Sequence, residues 1–200
     1  MRYSWLLTLA AILAVIIFQN ALVPARSNLA ALIKLDTVEA PVSVERNGRK
    51  VLVAKIYSTY PFNSHNFLTI AVGSADGVQT GMAVTADGTY LLGQITEVFE
   101  HYSYVRTIFD KNWQISVRIG KGQHDALLTG GQQPMLTMID KSSVVVDGDQ
   151  VVTASREFLY GMKLGQIAGL REQAGVSFQM GELAVPYSQN GLKEVAVIIR

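Results

Sequence analysis

The chain contains no cysteine, which excludes disulfides, thiolate zinc sites and thiol nucleophiles together. Three histidines, His65, His101 and His124, are scattered along the sequence and offer little to a metal centre. Only 16% of residues are charged, and 17 Lys and Arg against 16 Asp and Glu leave a net charge of +1. No basic run of five or more occurs, so the clustered footprint that nucleic-acid binding requires is missing. Helical patterns of ten to fifteen residues are absent between the apolar runs, which argues against an α/β fold. A hydrophobic content of 49% excludes a disordered chain.

Long apolar runs are also rare, with one exception. Trp5 to Phe18 is interrupted only by Thr8. As helix it is about 20 Å long, short of the roughly 30 Å hydrocarbon core. Adding Tyr3, Ser4 and the stretch from Gln19 to Val23 brings it to about 30 Å. Two readings stand open. Residues 1–24 form a transmembrane anchor with a very short cytoplasmic tail, or they form a signal peptide cleaved near Val23-Pro24-Ala25. Both place the remainder outside the cytoplasm. Residues 25–50 read as a connector, where Leu29, Leu32, Ile33 and Leu35 allow a short amphipathic helix. Pro41 prevents its continuation, and Asn47-Gly48 marks a turn.

From Val51 onward, short β runs follow one another. They span 51–57, 67–72, 82–85, 90–99, 104–109, 113–119, 126–129, 134–139, 143–146, 150–153, 163–168, 176–179 and 194–199. Asp76-Gly77, Asp87-Gly88, Asp147-Gly148 and Asn190-Gly191 are strong turn signals. The expected fold is mainly β: an N-terminal transmembrane helix followed by two small six-stranded β-barrel domains, 51–120 and 121–200. The last strand is free to return to the first barrel. Gly93, inside a strand, points to a bulge or a close backbone approach.

A search for catalytic groups finds no G-x-S-x-G or G-D-S-G turn. Ser74 in VGSADG reads as a turn serine. His101 and Asp110 occur in a polar connection and a turn, and His124-Asp125 are adjacent and point apart on a strand. Asp147-Gly148-Asp149 lacks the rest of an EF-hand loop, and Gly120-Lys121-Gly122 is too short for a phosphate loop. The sequence therefore predicts no catalytic, cofactor-binding or metal residues. Recognition surface remains. Tyr57, Tyr60 and Phe62 gather at the end of the first run, and Phe158, Leu159 and Tyr160 form an apolar loop. Each group either anchors a partner or closes the end of a barrel.

Thr69-Ile70, Gly73-Ser74, Asp76-Gly77-Val78, Gly81-Met82, Val84, Gly93, Ile95 and Glu97-Val98 fall on one recurring pattern. It is a T-I strand end, then G-S-x-D-G-V-x-x-G-M-x-V, then G-x-[IV]-x-E-V. Gly148-Asp149 with Val151-Val152-Thr153 fits a second pattern, G-D-x-V-V-T. Gly161-Met162, Gly165 and Ile167 fit a third. In this order the motifs resemble the bacterial rod-shape-determining MreC family across about residues 51–199. Arg156 and Tyr160 depart from it within a loop. The connector holds at most one heptad, where the family usually has a long coiled coil, and falls short of the three or four heptads a coiled coil requires; self-association of the chain stays an open expectation. The resemblance implies a non-catalytic scaffold of the cell-elongation complex in the inner membrane. Its implied partners are MreD, MreB filaments, RodA and the elongation-specific penicillin-binding transpeptidase. Rival expectations from other classes are an exported β-barrel hydrolase and a periplasmic adaptor of an export assembly.

Overall fold

The computed structural model describes residues 42–46, 49–57, 67–172 and 175–199. The expected anchor, the connector helix, the Asn47-Gly48 turn, Tyr60 and Phe62 lie outside these residues. Among the described residues no helix is long and apolar enough to cross a membrane.

Among the described residues the regular structure is almost entirely β. Its strands are β1 (Ser43–Arg46), β2 (Arg49–Lys55), β3 (Phe67–Ile70), β4 (Ala83–Ala86), β5 (Tyr90–Val98) and β6 (Ser103–Thr107). They continue with β7 (Gln114–Ile119), β8 (His124–Thr129), β9 (Met135–Asp140), β10 (Gln150–Thr153), β11 (Lys163–Glu172), β12 (Phe178–Ala184) and β13 (Glu194–Ile198). Pairing closes two circuits of six strands. One runs β2-β13-β4-β5-β6-β3 and returns through an Ile56–Ile70 bridge, with Tyr57 N donating to Thr69 O at 2.8 Å and Ala71 N to Lys55 O at 2.9 Å. The other runs β11-β10-β7-β8-β9-β12 and closes by β11–β12 pairing. A parallel contact, Lys163 against Tyr90, joins them.

Burial explains which strands alternate and which do not. β7 reads Gln-Ile-Ser-Val-Arg-Ile, with Ile115, Val117 and Ile119 buried and its polar residues outward, as expected when one face meets water. β13 instead buries Val195, Ala196, Val197 and Ile198 consecutively. Val195 and Val197 join a core with Leu52, Ile70, Val84, Leu92 and Val105. Ala196 and Ile198 join another with Val51, Leu91, Val117, Leu164 and Ile167. Strands β2 and β5 likewise send adjacent residues to different cores, Val51 and Leu91 to one and Leu52 and Leu92 to the other, because each lies between the two.

The 120/121 border suggested by the sequence falls within the β7–β8 hairpin, where Ile119 pairs with His124. The strands on both sides of it supply one core, through Ile115 and Leu128. Passage from one circuit to the other occurs between β6 and β7. β13 returns to sit between β2 and β4. The expected run at 143–146 is a loop. Val144 and Val146 face solvent and only Val145 is buried. Asp140 Oδ1 accepts from the Ser142 hydroxyl and amide, both at 2.7 Å, and these bonds hold its carboxyl below the usual range. Local bonds here replace a strand ladder.

The two circuits share a bulge and a sequence. Val84 pairs with Gly93 but Thr85 with Leu91, leaving Leu92 as the extra residue. Val151 pairs with Gly165 but Val152 with Lys163, leaving Leu164 as the extra residue. Val-Thr-Ala recurs at 84–86 and 152–154, and Leu-Gly-Gln-Ile at 92–95 and 164–167. A Cβ on Gly93 would run into the Arg106 carbonyl, and one on Gly165 into the Ala184 carbonyl. Glycine lets the neighbouring strand come this close.

Candidate interaction surfaces

The first glycine motif builds a turn pinned to the end of β5. Ser74 N donates to Phe99 O at 2.8 Å and Ala75 N to Glu100 O at 3.1 Å. Asp76 Oδ2 accepts from Gly73 N at 2.9 Å, so this carboxylate serves the backbone. The second motif repeats the device: Asp149 Oδ2 accepts from Val146 N at 3.1 Å. Gly77, Gly81, Gly148 and Gly161 have φ of 82°, 87°, 94° and 77°. Gly73, like Gly93 and Gly165, lies against a neighbouring carbonyl.

The residues considered for catalysis are dispersed. His101 lies 3.8 Å from Glu100, with both side chains largely in solvent. Asp110 is buried in the turn after β6, where its Oδ1 accepts from Asn112 N at 2.7 Å. Asp125 pairs with Arg118 Nε at 3.0 Å. Among the described residues no three His, Asp or Glu side chains cluster to hold a metal ion.

Of the apolar loops, Tyr57 is exposed at the circuit-closing bridge. Phe158 is only 6% exposed, its ring 5.7 Å from that of Trp113. It takes the packing role of the two foreseen, because the loop folds it under while its neighbours face out. Leu159 and Tyr160 are exposed, Tyr160 at 62%. The Tyr160 hydroxyl donates to Gln123 Oε1 at 3.0 Å, tying the loop to the β7–β8 turn. Asp125 first, and Tyr160 second, raise the pKa of Arg118.

Two surfaces escaped the sequence reading. Phe99, Tyr102 and Tyr104 form a ring cluster at the β5–β6 turn, Phe99 and Tyr102 stacked at 4.4 Å. On β9, Met138 stands at φ 57° and is 60% exposed. It falls within a register shift where Ile139 pairs with Gln179 and Leu136 with Gly181. Phe178, also exposed, pairs with Asp140 two residues on. A bulky side chain at positive φ is uncommon, and no sequence pattern marked this one.

The family model for the rod shape-determining protein MreC, barrel core, matches residues 56–199. The chain belongs to the MreC family. A cell shape-determining MreC protein from Cereibacter sphaeroides is 37% identical over 101 residues, 48% of this chain and 33% of that protein. The match thus spans about a third of that relative. Among solved structures, one MreC superposes with a TM-score of 0.70 at 21% identity, over 92% of this chain and 99% of that one. MreC from Pseudomonas aeruginosa gives 0.65 at 21% identity, over 75% and 99%. A chain from the complex between penicillin-binding protein PBP2 and MreC of Helicobacter pylori gives 0.56 at 13%, over 76% and 99%. At these identities the MreC structures share the fold. The family is one of cell shape-determining proteins with a β-barrel core.

Proposed function

We propose that this chain is a non-catalytic, membrane-anchored scaffold of the bacterial cell-elongation complex, with its β part on the extracytoplasmic side of the inner membrane. The observation that carries this reading is the family match over residues 56–199. The roles of Ser74 and Asp76 in a backbone turn support a part without chemistry. Solution of an MreC together with PBP2 supports the penicillin-binding transpeptidase as a partner of the β part. Residues 1–24 supply the anchor and meet MreD and, directly or through it, MreB filaments. The transpeptidase brings RodA. The physical logic is mechanical: a helix joins an inside filament to an outside synthase without moving any substrate.

Depletion in the host tests this. Rounded or bulging cells with delocalised wall synthesis are expected, and unchanged rods would remove the proposal. Partner contact is assigned to Tyr57 with its sequence neighbours Tyr60 and Phe62, and to Leu159 and Tyr160; the exposure of Tyr57, Leu159 and Tyr160 suits interface anchors. Combined charge substitutions at both places should abolish transpeptidase capture. Retained capture would move the interface elsewhere, and the Met138–Phe178 surface is then the next to alter.

A further inference from the structure

Where the chain passes from β6 to β7 it leaves a cleft of about 180 Å³, lined by Gln94, Arg106, Asn112, Trp113, Gln114 and Glu157. Two buried donors in this lining, Arg106 Nε and Trp113 Nε1, have no hydrogen-bond partner among the described residues. Burying a donor without an acceptor is costly, and native interiors rarely retain one. Trp113 is 6% exposed. Its amide donates to Asp110 O and its carbonyl accepts from Gly130 N, both at 2.8 Å. Its ring packs on Phe158. The Arg106 guanidinium carbon lies 5.8 Å from the Phe67 ring centroid, and Arg106 pairs with both Phe67 and Gln94 in the strand ladder. The Gln94 amide nitrogen is already committed to Gly81 O at 3.2 Å.

Glu157 also lines a larger groove of about 500 Å³, with Ser116, Ala154, Ser155 and Arg156. Gln114 and Ser116 are exposed members of one outward row on β7. Cleft and groove therefore continue one another along a polar strand face, as an extended peptide would need.

We propose that the cleft binds the carboxylate of an acidic side chain carried by an extended segment of a protein partner. An ionised carboxylate is acceptor-only and has two oxygens, one for each orphaned donor. Its bond to a guanidinium is charge-assisted, and Arg presents it a fixed fork. A phosphate would bring a second negative charge towards Glu157, so the smaller charge fits better. The inference concerns ligand chemistry and does not depend on which protein of the elongation complex supplies it.

The test uses the full chain in detergent micelles, labelled with nitrogen-15. The probes are two blocked hexapeptides, alternating threonine with glutamate or threonine with glutamine. The Trp113 indole N–H resonance, assigned by its loss in Trp113→Phe, should shift and saturate with the glutamate peptide. The glutamine peptide should bind at least about tenfold more weakly, the factor expected for one charge-assisted bond. Arg106→Gln, which keeps a polar side chain at this half-buried strand position, should abolish that preference. Equal binding of the two peptides, no binding of either at millimolar concentration, an unmoved indole resonance, or an unchanged preference in Arg106→Gln would each overturn the proposal.

Discussion

Thr85 and Thr153 occupy the same place in a repeated Val-Thr-Ala sequence, and both are buried. Their hydroxyls find partners in opposite ways. Thr85 donates to Ala196 O at 3.0 Å, on a strand 111 residues away. Thr153 donates to Leu159 O at 2.7 Å and accepts from Met162 N at 3.0 Å, within its own loop. The same local sequence therefore bonds in one circuit to the distant strand β13 and in the other to a neighbouring segment. Local sequence sets the strand and its bulge, and the topology around it decides who completes the barrel.

The comparison can be broken most severely by removing residues 194–200. Val195, Val197 and Ile198 leave the cores, a loss of about 5 kcal/mol at common burial values. Hydrogen exchange should show protection lost across β2–β6 while β8, β9 and β12 keep theirs. Uniform loss would mean the circuits are not separable. Next come the matched glycines. Gly93→Ala and Gly165→Ala each force a Cβ against a carbonyl, and each should cost about 3 kcal/mol in urea unfolding. A tolerated substitution at either one would end the structural equivalence of the bulges.

The threonines sharpen the contrast at smaller scale. Thr153→Val strands both a carbonyl and an amide and should cost about 2 kcal/mol, against about 1 kcal/mol for Thr85→Val. Equal losses in thermal melts would show that the local and long-range bonds are worth the same. Smallest are Asp76→Ala and Asp149→Ala, each removing one carboxylate bond to a backbone amide three residues earlier. Matching losses of about 1 kcal/mol are expected in denaturant titrations, and unequal ones would distinguish the two turns.

Most strands were legible because alternation and Asx-Gly turns are local signals. Ser43–Arg46 was hidden inside what read as connector, since its apolar content is one half-buried valine. The run 143–146 misled because three valines mimic a strand, while the serines beside them bond Asp140 instead. The recurrence of Leu-Gly-Gln-Ile is plain in the sequence, yet its meaning needs the paired bulges. Among the candidate surfaces, exposure of Leu159 and Tyr160 could be read from a loop, whereas burial of Phe158 depends on Trp113, 45 positions earlier. The cleft was illegible for the same reason. Gln94, Arg106, Trp113 and Glu157 meet only because β5, β6, the turn before β7 and the loop after β10 converge.

The place of β13 between β2 and β4 has a temporal consequence. A chain synthesised from its amino end exposes the partner edges of β2 and β4 long before the strand that covers them exists. The circuit begun first is thus completed last, with its apolar interior and unpaired amides waiting on β13. A nascent chain interrupted anywhere before Glu194 leaves that circuit open.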